Sequence, residues 1–298
     1  MDYLGIIKRA YEIVLRRKYL WIFGILAGGA IGGSWNFSAP STSETFSQNK
    51  IENFFNNIKF ENFLTHYWGI IFAIIGIILL VGLLWFIFSI ISQGALLGSV
   101  AAISHNEENN FKTGFAFGWH KFWKVLAVGL LIGLIVLVSL AILALPVILL
   151  VLAKIYVLAI IYGVLIFLAN LTLWIYLGFV QPYILRLAVL GQRGAGQAIK
   201  ESWSFSKKNW KEMVVMYLLV LAIGIGVAIG LLLAVFLVGG LLFAIGLAIY
   251  LASPWVCWIY AALAGLALVL FFLILNGIIN SFYSSVFTLT YLELDKRA

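Results

Sequence analysis

Apolar residues in this chain form long unbroken runs. Three times such a run is preceded by a shorter stretch in which apolar and basic positions recur at helical spacing. The three stretches are Leu4–Lys18, Phe111–Lys124 and Ile199–Lys211. In the first, Leu4, Ile7, Tyr11, Val14 and Leu15 share a face, with Arg9, Glu12 and Arg16 largely opposite. In the second, Phe111, Phe115, Trp119 and Phe122 make the stripe, and Lys112, His120 and Lys121 lie off it. The third stripe is Ile199, Trp203, Trp210 and Met213, with Lys200, Lys207 and Lys211 around it. Helices with aromatic faces and basic rims suit the plane of an anionic membrane surface.

The long runs far exceed the roughly 18 apolar residues that mark a membrane span. The first span is expected at about Tyr19–Phe37. It reads as uncleaved rather than as a signal peptide, because the charged region before it is unusually long and itself amphipathic. A polar stretch, Ser38–Thr65, follows and is too short for a folded domain. The second span starts near Tyr67 and Trp68 and continues through Ser92-Gln93 to about Ile103. Val125 to Leu185 is too long for one crossing at about 1.5 Å per residue. A turn at Lys154 and Tyr156 divides it into Val125–Ala153 and Tyr156–Val180, with a break at Gln181-Pro182 and an apolar extension over Tyr183–Leu190. Val214–Leu251 and Val256–Leu292 form the last pair, split at Ser253-Pro254-Trp255, and Gly239-Gly240 is a candidate break. The fold class expected is therefore all-α: a bundle of six spans arranged as three hairpins, each preceded by an interfacial helix.

Composition agrees with this. Hydrophobic residues make up 64% and charged residues 10%, against about 25% charged in a soluble domain. A β-barrel would show short alternating segments instead. Charge adds orientation. Loops on the N-terminal side of the six-span arrangement hold Lys8, Arg9, Arg16, Arg17 and Lys18, then Lys112, Lys121 and Lys124. The same side holds Arg186, Arg193, Lys200, Lys207, Lys208 and Lys211, and finally Lys296 and Arg297. Only Lys50, Lys59 and Lys154 fall on the other side. The bias toward one side places both termini in the cytoplasm of a multi-pass cell-membrane protein.

Sliding the chain by 88 residues puts Gln93 on Gln181, Lys112 on Lys200, Phe115 on Trp203, Phe117 on Phe205 and Phe122 on Trp210. The N-terminal unit matches more loosely, through Tyr11, Arg17 and Tyr19. A single membrane domain of three like-oriented units is expected, over about 1–104, 105–192 and 193–298, with the extracytoplasmic loop at 38–65.

Chemistry is sparse. His66, His105 and His120 lie in different polar segments with no metal-type spacing. The lone Cys257 excludes an intramolecular disulfide. No glycine-rich phosphate loop is present, and no carboxylate stands within a span, which argues against proton coupling and two-carboxylate catalysis. No metal, cofactor or nucleic-acid partner is expected. The deep polar groups are Gln93, Asn170, Thr172, Gln181, Asn276 and Asn280. Gln93, Gln181 and Asn280 recur near the inner end of the second span of each unit. They read as interhelical hydrogen-bonding groups, or as a polar ring lining an inner cavity.

The segments "ESWSFSKKNWKEM", its echo "GFAFGWHKFWKVL", and "FVQPYILRLAVLG" resemble a group of bacterial six-span proteins. That group includes the membrane domain attached to some glycerophosphoryl diester phosphodiesterases, and related uncharacterised membrane families. In those enzymes catalysis resides in a separate soluble barrel, for which this chain has no room. The resemblance implies a membrane domain and carries no enzymatic activity over.

The leading expectation is a non-enzymatic inner-membrane protein that engages lipid or a partner at the cytoplasmic face. The lipid-surface candidates are Trp203, Lys207, Lys208, Trp210 and Lys211, with Phe115, Trp119 and Lys121. Membrane lipids are the expected partners, with a protein partner or a second copy as alternatives. The competing expectation is a permease or exporter of an apolar or amphiphilic solute, using Gln93, Gln181 and Asn280. An intramembrane enzyme ranks third.

Overall fold

The computed structural model describes residues 1–28 and 60–296. The second half of the expected first span, the polar stretch up to residue 59 with Lys50 and Lys59, and Arg297 lie outside the described residues. Among the described residues all regular structure is helical. The helices are α1 (Tyr3–Arg16), α2 (Tyr19–Ala27), α3 (Phe60–Ser104), α4 (Phe111–His120) and α5 (Phe122–Leu152). They continue as α6 (Tyr156–Val189), α7 (Ala195–Lys208), α8 (Trp210–Ala252) and α9 (Pro254–Asp295). Five of them, α3, α5, α6, α8 and α9, are long and apolar enough to cross a membrane.

Element ends follow local chemistry. Asp2 caps α1 by accepting a hydrogen bond from the Gly5 amide at 2.9 Å. Asn110 and Thr113 close a reciprocal capping box at the start of α4. α5 and α6 pack together across a three-residue turn in which Lys154 takes φ +61°. Ser253 breaks α8 from α9, and Pro254 opens α9 where its missing N–H costs nothing.

Two expected breaks are absent. α6 runs through Gln181-Pro182 to Val189 and α8 runs through Gly239-Gly240, while α3 continues through Ser92-Gln93 as expected. In a membrane-type bundle a helix keeps its remaining hydrogen bonds because no water competes for them, so a proline removes one bond and leaves the helix intact. α3 also begins at Phe60, inside the expected polar stretch.

The core lies at one end of the bundle. Buried residues concentrate at Ile90–Val100 of α3, Val125–Ile132 of α5, Val180–Val189 of α6, Met213–Val220 of α8 and Ser281–Leu294 of α9. The short helices cover this end: α1 packs on α9, α4 on α3, and α7 on α6. The other halves of the long helices bare their apolar side chains on all sides, as Leu79, Phe236 and Leu251 do, which in lipid costs nothing. α2 threads against α9 at a crossing of small residues. A Cβ on Gly24 would stand 2.0 Å from the Gly277 carbonyl oxygen, so only glycine permits this approach. Ser281 Oγ donates to the Leu20 carbonyl at 2.7 Å across the same crossing.

The inward faces of the short helices differ from the expected stripes. α1 buries Ala10, Ile13 and Val14, while Leu4, Tyr11 and Leu15 are exposed. α4 turns Gly114 and Gly118 inward against α3, and α7 turns Ala198, Ser202 and Ser206 inward. Small residues allow close backbone contact, and Trp119 and Trp203 face outward while Phe115, Phe117 and Phe205 pack beside the core.

Candidate functional site

Two groups of residues stand apart from the packing. The first is on the outer surface of α4, α7 and the start of α8. Trp119, Trp203 and Trp210 are 60%, 52% and 56% exposed. Lys207 Nζ sits 5.1 Å from the centre of the Trp203 ring, and Lys211 Nζ sits 5.9 Å from that of Trp210. Trp203 and Lys207 are four residues apart within α7, and Trp210 and Lys211 are adjacent at the start of α8. Each cation over a ring is worth about 0.5–1 kcal/mol when exposed. Lys121 similarly stands 5.9 Å from the Phe117 ring. Lys208 is exposed on the last turn of α7. Phe115 differs: it is half-buried and packs against the α1–α2–α3 core, with its ring 6.2 Å from that of Phe111.

The second group lines a partly open cavity of about 350 Å³ between α2, α3, α5, α6, α8 and α9. Gln93, Gln181 and Asn280 all reach it. They come together because α3, α6 and α9 each bring their C-terminal halves into the core. Gln93 Nε2 donates to the Ala27 carbonyl at 3.4 Å, and Asn280 Nδ2 donates to the Gly24 carbonyl at 3.3 Å. Both amides thus tie their helices to α2, at about 0.6 kcal/mol per bond in membrane bundles. Asn280 Nδ2 also donates to Asn276 Oδ1 at 2.8 Å. Gln181 makes no hydrogen bond to the described residues while lining the same space.

Arg186 completes the cavity wall and is not a loop residue. It lies within α6, is 4% exposed, and so leaves the set of loop cations that sequence alone assigns to the cytoplasmic side. Its Nε donates to Thr288 Oγ1 at 3.1 Å and its Nη2 to the Ser284 carbonyl at 2.9 Å. Nη1 donates to the Pro182 carbonyl one turn earlier in α6. The Phe287 ring lies 5.7 Å from the guanidinium. Every one of these partners is uncharged. Pro182 has no N–H for the Gly178 carbonyl, and both residues line the cavity, adding an acceptor to its wall.

Sequence reasoning passed over Arg186 by counting it with the loop charges. A usable signal was present: Arg186 lies within an apolar stretch and one helical turn beyond Pro182. The other deep polar groups sit apart. Asn170 is buried in the outer part of α6, and Thr172 Oγ1 donates to the Leu168 carbonyl of its own helix. Among the described residues no three of His, Cys, Asp and Glu gather to hold a metal ion. The site offers one fixed positive charge, amide donors and acceptors, and an aliphatic wall. This set can hold an anionic or amphiphilic molecule.

Residues 19–294 match a family described as Family of unknown function (DUF7544). No curated protein and no solved structure matches the chain.

Proposed function

The chain belongs to the family of unknown function DUF7544, and on that premise we propose that it engages anionic lipid at the cytoplasmic face of the bacterial inner membrane, without catalysis. In this reading α2 begins a sixth span, the six spans pair into three hairpin units, and α1, α4 and α7 are the interfacial helices. Both termini then lie in the cytoplasm with most of the basic residues. The observation that carries the reading is the pairing of exposed Trp203 and Trp210 with Lys207 and Lys211. An exposed indole beside an ammonium is matched to the border between acyl chains and anionic headgroups. Each such cation contributes about 1 kcal/mol near an anionic surface. Apart from Arg186, the deep polar groups described above are amides and hydroxyls, which hold hydrogen bonds rather than transfer protons. The test is charge removal: Lys207→Gln, Lys208→Gln and Lys211→Gln together are expected to reduce retention of anionic lipid by the purified protein. Unchanged retention contradicts the reading.

A second reading, a permease or exporter for an amphiphilic solute, is favoured by one observation: Gln93, Gln181 and Asn280 share a cavity. Transport of an alkyl anion into liposomes carrying the protein, lost on Gln181→Leu, would support it. Equal flux with and without protein would remove it.

A further inference from the structure

Arg186 brings a positive charge to the cavity wall, and among the described residues no Asp, Glu or second cation lines that wall. A guanidinium has five N–H donors. Nε, Nη1 and Nη2 each make one bond, to Thr288 Oγ1, the Pro182 carbonyl and the Ser284 carbonyl. One N–H on Nη1 and one on Nη2 therefore remain. That pair is what a guanidinium uses to grip two oxygens of an oxyanion at once. Gln181, five residues earlier on α6, brings an unpaired amide to the same space.

A buried charge among neutral partners is costly to keep. The repeat does not require it. The step of 88 residues that puts Gln93 on Gln181 puts Gly98 on Arg186, and the position five residues beyond Asn280 is Ser285. The charge is peculiar to the middle unit, where packing alone is satisfied elsewhere by a glycine and a serine. Leu96, Val128, Ile132 and Leu185 add aliphatic surface to the same lining, beside the polar Gln93, Asn280 and Ser284. The lining thus combines one cation and several amides with aliphatic surface.

We propose that this cavity binds the phosphate head of a membrane amphiphile, with two phosphate oxygens on Nη1 and Nη2 of Arg186 and the Gln181 amide on a third. A volume of about 350 Å³ stands at the lower end of small-molecule sites, roughly 300–1,000 Å³, and suits a head with the beginning of its tail. Arg186 is three residues from the end of α6, where α7 packs. That end is where the headgroups of the cytoplasmic leaflet lie. The proposal rests on the reading of the chain as a lipid-engaging membrane protein and assigns the lipid a second, internal site distinct from the Trp–Lys surface.

The test uses the full-length protein in a neutral maltoside detergent and follows its thermal unfolding with three probes: dodecyl phosphate, dodecanol and inorganic phosphate. Dodecyl phosphate is expected to raise the unfolding midpoint, and the other two, at equal concentration, are not. The apparent affinity for dodecyl phosphate is expected to fall about tenfold in Arg186→Lys, which keeps the charge and loses the fork, and in Gln181→Leu. Gln181 makes no hydrogen bond to the described residues, so Gln181→Leu keeps the test decisive if Arg186→Lys does not fold. Equal protection by dodecanol makes the tail alone responsible, and equal protection by inorganic phosphate makes the ligand a water-soluble anion; either result overturns the proposal. So does wild-type affinity in Gln181→Leu. Loss of affinity only in Lys207→Gln with Lys211→Gln also overturns it, and leaves the surface reading standing.

Discussion

Arg186 Nε donates to Thr288 Oγ1 at 3.1 Å, joining α6 to α9 at the centre of the core across 102 positions of sequence. Thr288 Oγ1 in turn donates to the Ser284 carbonyl at 2.7 Å, the same oxygen that Arg186 Nη2 reaches. The hydroxyl both accepts from the guanidinium and shares its second partner. Thr288→Val keeps the shape and removes the acceptor from a buried charged donor. It is expected to cost about 1–3 kcal/mol, read as a lower unfolding midpoint in detergent. An unchanged midpoint would show that the bond contributes nothing.

The α2–α9 crossing depends on glycine. A Cβ on Gly277 would stand 2.5 Å from Ile25 Cγ1 and 2.6 Å from the Trp21 carbonyl oxygen, whereas one on Gly265 of the same helix meets nothing within 4 Å. Gly277→Ala is expected to destabilise by about 1–3 kcal/mol through overpacking. Gly265→Ala is expected to be neutral or to stabilise by up to about 1 kcal/mol. Thermal unfolding of both variants, side by side, checks the pair, and equal midpoints would contradict the crossing.

Orientation is open to chemical labelling. Cys257 lies in the first turn of α9, at the end of the bundle away from α1, α4 and α7. A membrane-impermeant maleimide is expected to label Cys257 in cells with a permeable outer layer and an intact inner membrane. In a Cys257→Ser background, Glu107→Cys in the exposed turn between α3 and α4 is expected to label only after the inner membrane is opened. The reverse pattern would invert the topology.

Long helices were legible because an apolar run of 30 or more residues has few alternatives, and turns at Lys154 and Ser253 stood out as the polar interruptions that end backbone pairing. The inward faces of the short helices were less legible, because small residues rather than a stripe of large apolar ones make them. Trp119, Trp203 and Trp210 face outward, and Gly114, Gly118 and Ala198 make the inward contacts. Gln93, Gln181 and Asn280 could be grouped from sequence because each is a lone amide near the inner end of the second span of its unit. Arg186 could not be grouped with them, because its counterparts Gly98 and Ser285 carry no charge. Only the convergence of α6 on α9 brings it to their cavity.

Lipid engagement through the Trp–Lys surface is tested most directly by native mass spectrometry of the full-length protein released from neutral detergent. The wild-type protein is predicted to carry anionic phospholipid. A variant combining Lys207→Gln, Lys208→Gln and Lys211→Gln is predicted to lose about tenfold or more of it, at about 1 kcal/mol for each cation removed, while remaining folded by circular dichroism. A wild-type protein free of lipid, or a folded variant that retains as much anionic lipid as the wild type, would contradict the account.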